Sequence, residues 1–215
     1  MSRGIVALGD SITRGHGGSP ALGVHFQSWV LWLADAMERP LTNLAIDGVT
    51  ATDVLAEQVP KLEGPYELGF LLIGANDTRG MAWDPARYQR ELGAIVAALR
   101  EAAARVVVLT LPEDLGRPTA APKPAAANAI LRALGGVEIV ELADLGGRTH
   151  LLPDAVHPTS AGMVEIARRV ALGIGAPAPR VDVPPRDLRY DAWWLRLWLR
   201  DVRRRRSERR GSLNP

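Results

Sequence analysis

The chain has 215 residues, of which 47% are hydrophobic and 23% charged, and can therefore bury most of its apolar surface in one folded domain. It contains no cysteine, which excludes disulfide bonds and thiolate metal sites and gives no support to export into an oxidising compartment. The net charge of +2 hides an acidic body, because residues 1–179 have 15 basic and 19 acidic residues, and this argues against nucleic acid binding.

Five nearly continuous apolar segments alternate with segments of helical periodicity. The apolar segments predict β-strands near residues 4–9, 41–46, 68–73, 105–111 and 137–142. Strands without polar alternation suit a parallel sheet that helices cover on both faces. We therefore predict an α/β fold, a three-layer α/β/α architecture with a five-stranded, doubly wound parallel sheet of the flavodoxin-like kind.

Helical periodicity is clearest in two of the intervening segments. The first stripe of apolar residues comprises Phe26, Trp29, Val30, Leu33 and Met37. The second stripe comprises Tyr88, Leu92, Ile95, Val96 and Leu99. Asp84 and Pro85 precede the second stripe as an N-cap and a first-turn proline. A capping box at Thr50 to Asp53 opens a shorter helix.

Polar residues follow the predicted strands at the edge where an α/β sheet binds its ligands. Ser11 comes directly after the first strand, Gly48 follows the second, and Asn76 follows the third. Asp154 and His157 precede the last helical segment of the body. Because the carboxyl ends of parallel strands meet at one edge of the sheet, these residues are candidates for a common site.

The residue types in these segments allow nucleophilic catalysis. A serine hydroxyl is a poor nucleophile at neutral pH unless a base takes its proton, and a histidine is suited to that role. Asp154 lies three residues before His157, so its carboxylate can accept a hydrogen bond from the other ring nitrogen. Each residue also has a purely structural interpretation: Asp154 can cap a turn, Gly48 can serve turn geometry alone, and Asn76 can close a strand.

Together these segments resemble the four sequence blocks of the SGNH (GDSL-type) hydrolases. The matching blocks are Gly9-Asp10-Ser11, Gly48, Gly74-Ala75-Asn76-Asp77 and Asp154-Ala155-Val156-His157. They stand in the family's order and cover about residues 4–172. Ile12 replaces the leucine of the family's name, an aliphatic exchange that should not affect the chemistry.

The resemblance implies a role for each matching residue. Ser11 would be the nucleophile, His157 the base, and Asp154 the residue that orients the histidine. The oxyanion hole would combine the backbone N–H groups of Ser11 and Gly48 with the side-chain amide of Asn76. The chain is therefore expected to be a serine esterase that cleaves a small ester, with a short acyl or acetyl group, through an acyl-enzyme intermediate.

Asp10 and Asp77 neighbour the candidate site, and we interpret them as hydrogen-bond acceptors that brace its loops. A divalent metal held by these two carboxylates with Asp154 and His157 is the alternative, although a serine and an amide would be unusual at its centre. The sequence has no Walker or dinucleotide-binding motif. We predict no cofactor and no metal. The other histidines are interpreted as surface residues: His16, His25 and His150.

The sequence leaves the acyl and alcohol groups of the substrate open, because the family includes lipid, acetylated carbohydrate and thioester substrates. We expect specificity to lie in loops such as 78–83 and the proline-rich segment 112–124. The first strand begins without a signal-peptide pattern, and no apolar run approaches the ~20 residues of a membrane-spanning helix. We therefore expect a cytoplasmic location.

The resemblance does not explain the end of the chain. We divide the sequence into a hydrolase domain, residues 1–175, and a tail, residues 176–215, that begins with a proline-rich linker. After the linker, an apolar stripe at helical spacing comprises Tyr190, Trp193, Trp194, Leu197 and Trp198. We expect this stripe to dock on the protein's own body or on a second copy.

Alternatives stay open for the tail. Residues 186–206 could make weak contact with an anionic membrane, with tryptophan at the headgroups and arginine near phosphate, or mediate self-association. A membrane- or partner-docking protein, with the tail as its main functional element, is accordingly the alternative to an esterase. The arginine-rich run 203–210 is predicted to be a solvated, disordered end.

Overall fold

Five parallel strands form the sheet of this protein, whose computed structural model describes residues 4–15, 23–80, 82–113 and 122–211, and of residues 204–211 only the backbone. The strands are β1 (Ile5–Gly9), β2 (Leu41–Asn43), β3 (Tyr66–Leu72), β4 (Ala103–Leu109) and β5 (Glu138–Val140). They pair in parallel in the order β2-β1-β3-β4-β5. This order is that of a flavodoxin-like, doubly wound sheet, so the predicted fold class is confirmed.

Helices cover both faces of the sheet. In chain order they are α1 (Ser11–Arg14), α2 (Trp29–Met37), α3 (Ala51–Asp53), α4 (Ala75–Arg79), α5 (Pro85–Ala102), α6 (Pro122–Arg132), α7 (Gly147–His150), α8 (Ser160–Ile174) and α9 (Leu188–Gly211). A π-helical turn, Val54–Gln58, and a 3-10 turn, Val59–Lys61, continue α3. α2 packs against α8, whereas α5 packs against β3, β4 and α6.

The apolar strand segments are buried because of this double cover. Every residue of β1 is buried, and so are all but one of β3. The large side chains of Trp29, Phe70 and Tyr88 fill the core, and the rings of Trp29 and Phe70 are nearly perpendicular at a centroid distance of 5.5 Å. The buried sheet thus holds the carboxyl ends of its strands in fixed positions for the loops that follow them.

N-terminal capping hydrogen bonds are present at the start of the predicted helices. Asp84 accepts a hydrogen bond from the N–H of Arg87 at 3.0 Å, and Pro85 is the first residue of α5, as predicted. The carboxylate of Asp53 accepts a hydrogen bond from the N–H of Thr50 at 2.8 Å at the start of α3. Phe26, the first residue of the other predicted stripe, lies before α2.

The structure shortens two of the predicted strands. β2 ends at Asn43 rather than at residue 46, although the N–H groups of Leu44 and Ile46 still donate to carbonyls of β1. β5 ends at residue 140 rather than 142, where the N–H of Leu142 donates to the Thr110 hydroxyl at 2.7 Å. At the end of β5 a side chain thus takes the backbone group that a strand ladder would use, whereas the bonding of β2 to β1 continues past Asn43.

Two helices extend into segments that were predicted as irregular. α6 begins at Pro122, inside the predicted loop 112–124, because a proline in the first helical turn loses no hydrogen bond. The prediction of a disordered run at 203–210 was wrong for the backbone, which is helical to Gly211. Arginine and glutamate are good helix formers, and nothing in this run interrupts the helix.

In the described part of the chain, each helix is too short or too polar to cross a membrane.

Thr159 connects the Asp154–His157 segment to α8. Its hydroxyl accepts a hydrogen bond from the N–H of Gly162 at 3.0 Å and donates one to the carbonyl of Thr149. The residue is fully buried. The cap therefore begins α8 and holds the preceding segment at the same time.

We expect Thr159→Ala to lower the free energy of unfolding by about 2–3 kcal/mol, because it removes two hydrogen bonds and a buried methyl group. Thr159→Ser keeps the hydroxyl and should cost about 1 kcal/mol. Urea unfolding measures both variants. Equal losses in the two would mean that the hydroxyl does not stabilise the fold.

Candidate active site

Ser11 lies where β1 passes into α1. The carboxylate of Asp10 caps this short helix by accepting a hydrogen bond from the N–H of Ile12 at 2.9 Å. Ser11 is therefore the first helical residue, only 6% exposed, and its Oγ lies 2.9 Å from Nε2 of His157. The fold thus brings together two side chains that are 146 positions apart in the sequence.

The carboxylate of Asp154 receives three hydrogen bonds. Its Oδ2 lies 2.7 Å from Nδ1 of His157, and its Oδ1 accepts from the N–H groups of Val156 and His157, both at 3.0 Å. Burial alone would raise the pKa of Asp154, but the hydrogen bonds and the nearby histidine lower that pKa to about 2. The carboxylate therefore stays ionised above about pH 4 and can stabilise a positively charged imidazole.

A closed backbone segment carries Asp154 and His157. An antiparallel bridge pairs Leu151 with Pro158. Between them the N–H of Leu152 donates to the carbonyl of His157 at 2.9 Å, and the N–H of Ala155 donates to the carbonyl of Leu152 at 2.9 Å. Ala155 has a φ of 59°, in the left-handed region that non-glycine residues rarely adopt. These bonds fix the orientation of the two functional side chains.

Asn76 lies against the segment that follows Gly48. Its Nδ2 donates a hydrogen bond to the carbonyl of Val49 at 2.8 Å, and an amide nitrogen has a second N–H for another acceptor. Gly48 has a φ of 77°, which favours glycine. A Cβ at this position would point into space where no described residue has an atom within 4 Å. Glycine is therefore favoured here by the backbone conformation and not by a lack of space for a side chain.

Asp10 and Asp77 brace the loops of the site, as predicted. Asp10 caps α1, and Asp77 accepts a hydrogen bond from the N–H of Ala51 at 3.1 Å. Asp77 and its neighbour Asn76 thus hold the backbone of residues 49 and 51 from one side. Both carboxylates lie at the carboxyl edge of the sheet, where the sequence blocks were expected to meet.

These two carboxylates have raised pKa values. Asp10 is 1% exposed, and its burial raises its pKa to about 7 against the opposing effects of the Ile12 N–H and of His157. Burial likewise raises the pKa of Asp77 to about 6, although the N–H of Ala51 opposes the shift. The charges of His157 and Asp77 both act on Asp10, so the first, third and fourth sequence blocks are electrostatically coupled.

Gln58 is a residue of the site that sequence reasoning missed. Its side chain is fully buried and makes two hydrogen bonds to the same residue, accepting from the Gly9 N–H at 2.9 Å and donating to the Gly9 carbonyl at 2.8 Å. Gly9 directly precedes Asp10 and Ser11, so this amide fixes the backbone that leads into the candidate nucleophile. The only local signal is a π-helical turn, which often occurs at functional sites but has no sequence signature of its own.

The structure describes two of the three other histidines, which were predicted to lie at the surface. His25 is exposed, and His150 is partly buried with its Nδ1 3.2 Å from the carbonyl of Gly146. His16, Met81 of the loop 78–83, and residues 114–121 lie outside the described residues. Over the ranges that the structure does describe, histidine, aspartate and glutamate side chains form no group of three arranged to hold a metal ion.

A serine, histidine and aspartate in one hydrogen-bonded chain, beside a glycine and an asparagine that can donate N–H groups, are equipped for acyl transfer. The model of the GDSL-like lipase/acylhydrolase family matches residues 7–165, which is well over half of the chain. The chain belongs to this family, which confirms the resemblance, and it is a carboxylic ester hydrolase.

Solved structures share the fold at low sequence identity. LAE5, an alpha/beta hydrolase enzyme from the metagenome of Lake Arreo in Spain, is 21% identical with a TM-score of 0.65; the similarity covers 80% of this chain and 95% of LAE5. A catalytic mutant of Axe2, an acetylxylan esterase from Geobacillus stearothermophilus, is 17% identical with a TM-score of 0.66, covering 84% and 97% of the two chains. A search of curated proteins gives no match.

The raised pKa of Asp10 predicts a pH-dependent cost to stability. In the folded protein the carboxyl keeps its proton up to about pH 7, whereas in the unfolded chain it ionises near 3.8. The fold is therefore destabilised increasingly as pH rises between these values. Asp10→Asn keeps a capping oxygen and removes this cost, so we expect it to raise the free energy of unfolding at pH 8 and to change it little at pH 4.

Urea unfolding at the two pH values measures this difference. Asp84→Asn is the matched control, since Asp84 is also an N-cap but is exposed and has a lowered pKa. That substitution should not stabilise the protein at pH 8. A gain from Asp10→Asn that is no larger at pH 8 than at pH 4 would contradict the prediction.

Proposed function

We propose that this protein hydrolyses a small carboxylic ester, with a short acyl or acetyl group, through a covalent acyl-enzyme on Ser11. The observation that carries the proposal is the continuous chain from Ser11 Oγ to His157 Nε2 at 2.9 Å and from His157 Nδ1 to Asp154 Oδ2 at 2.7 Å. This arrangement has the distances that a nucleophile, its base and an orienting carboxylate require.

The reaction proceeds in two halves. Ser11 Oγ attacks the ester carbonyl carbon while His157 takes the hydroxyl proton, and His157 then gives this proton to the departing alcohol oxygen. The acid part of the ester stays bound to Ser11. A water molecule attacks the same carbonyl carbon, His157 takes a proton from the water, and the proton returns to Ser11 Oγ as the carboxylic acid leaves. The ionised Asp154 stabilises the imidazolium in both halves.

Three donors are proposed for the negative oxygen of the tetrahedral intermediates. Ser11 is the first residue of α1, and a first-turn N–H has no acceptor within its own helix. The N–H of Gly48 and the second N–H of the Asn76 amide are the other two. Asn76 is hydrogen-bonded to Val49, and Asp77 is hydrogen-bonded to Ala51. The side-chain donor and the backbone after Gly48 are therefore held in place before substrate binds.

The structural neighbours support the roles and the substrate class. Three structures of Axe2 are described as catalytic mutants, in which a serine, an aspartate or a histidine is replaced. These are the residue types of the triad proposed for this chain. Axe2 is an acetylxylan esterase, which favours an acetyl or other short-acyl ester as the substrate here. Substrate specificity is proposed to lie in residues 78–83 and 112–124.

We expect Ser11→Ala to lower ester hydrolysis by about 10,000-fold or more, because the nucleophile is lost while little packing changes. A panel of p-nitrophenyl esters of increasing acyl length measures kcat/KM, and the acetyl ester should be among the best substrates. EDTA should leave the rate unchanged. More than a tenth of wild-type turnover in the variant would reject the nucleophile, and a preference for long chains would reject the substrate class.

Asp154→Asn should reduce kcat less than His157→Ala does, since the aspartate orients and stabilises while the histidine transfers the proton. Both kcat values are measured on the best ester of the panel, with circular dichroism as the control for folding. Equal losses would contradict this ranking. Full activity of Asp154→Asn would mean that another acceptor holds the His157 ring.

A further inference from the structure

The C-terminal helix lies beyond the part of the chain that the family explains. The family match ends at residue 165, and α9 begins at Leu188. The linker between α8 and α9 lies against the body. Val181 and Val183 pack against the core, and the carbonyl of Val181 accepts a hydrogen bond from the Arg168 guanidinium. α9 is thereby brought next to residues 148–151, which lead into the segment that carries Asp154 and His157.

Two aromatic side chains of α9 hydrogen-bond to backbone carbonyls of residues 148–151. The hydroxyl of Tyr190 donates to the carbonyl of Arg148, and Nε1 of Trp194 donates to the carbonyl of Leu151 at 3.0 Å. Tyr190 is 5% exposed. The prediction that the aromatic stripe docks on the protein's own body is thus confirmed for Tyr190 and Trp194.

A cation–π contact adds to this junction. The guanidinium of Arg148 lies over the Trp194 ring, 5.0 Å from the centroid. Within α9 itself, the ring of Trp193 lies 5.2 Å from that of Tyr190. Trp198, one turn beyond Trp194, is 41% exposed. The helix therefore contacts the body through its Tyr190 and Trp194 face, and another face remains towards solvent.

The groups that α9 holds are directly connected to the candidate base and its orienting carboxylate. Leu151 pairs with Pro158 across the antiparallel bridge, and the next residue, Leu152, donates its N–H to the carbonyl of His157. On the other side, the N–H of Thr159 donates to the carbonyl of His150 at 2.9 Å. A shift of the backbone at Leu151 would therefore be transmitted to His157 through one hydrogen bond.

We propose that α9 is a positioning element of the active site, in which Tyr190 and Trp194 hold residues 148–151 and thereby the orientation of Asp154 and His157 towards Ser11. The inference rests on the proposed function of that triad. Displacing a catalytic group by about 1 Å can cost up to 100-fold in rate, so a helix that prevents such displacement affects turnover without touching substrate. Tyr190 and Trp194 are positioning residues in this scheme.

The test uses full-length Tyr190→Phe, Trp194→Phe and the double variant, each of which keeps an aromatic ring and removes a hydrogen-bond donor. Trp198→Phe is the matched control, because it makes the same exchange one turn further along the same helix. The amount of competent Ser11 is titrated with a fluorophosphonate, and kcat and KM are then measured per titrated site. This normalisation separates slower turnover from a smaller folded fraction.

We expect kcat per titrated site to fall about 10-fold in the double variant, with KM within about 2-fold of wild type and Trp198→Phe unchanged. If the double variant does not fold, the single variants should each show a smaller fall of the same kind. An unchanged kcat per titrated site, with only a lower melting temperature, would overturn the proposal and leave α9 as a cover for the body.

A second measurement separates this inference from the proposed function. The proton between Nδ1 of His157 and Asp154 should give a low-field proton NMR signal, which we expect to broaden or shift in the Tyr190 and Trp194 variants but not in Trp198→Phe. If the wild-type protein has no esterase activity but this difference is seen, the function fails and the positioning role stands. If the signal is the same in all variants, the positioning role is wrong whatever the activity.

Discussion

The hydrogen bond between Ser11 and His157 requires the rest of the structure to hold these two residues in precise positions. It joins the first strand of the sheet to the entry of α8, so both must be held within a few tenths of an ångström. β1 is buried in the interior of the sheet, and the Gln58 amide holds its last residue, Gly9. On the other side, the Thr159 cap and the aromatic residues of α9 hold the segment that carries the histidine.

The same arrangement carries a cost in stability. Asp10 is placed in a buried position because its oxygen caps α1 and turns the chain at Ser11, yet burial opposes its ionisation. Asp77 repeats the pattern at the loop that follows Gly48. Buried carboxylates and the left-handed Ala155 are local weaknesses that the surrounding sheet and helices tolerate. Their concentration at one edge of the sheet fits a fold that gives up some stability to shape a site.

The sequence was informative wherever local pattern and local structure coincide. Apolar strand segments predicted the sheet, and the polar residues after the strands and before α8 predicted the group that includes Ser11 and His157. Gln58 was out of reach, because a glutamine in a helical segment is an ordinary surface residue until its partner, 49 positions away, is known. The end of β5 was misplaced for the same reason, since the Thr110 hydroxyl accepts from a backbone N–H that a regular strand ladder would use.

The bridge between Leu151 and Pro158 has a consequence for motion. It closes the intervening residues into a segment whose hydrogen bonds are largely internal, so these bonds depend on one another. Such a unit opens cooperatively, and its amide protons would exchange with solvent together rather than one by one. The base and its orienting carboxylate would then leave Ser11 together whenever the segment opens, and return together when it closes.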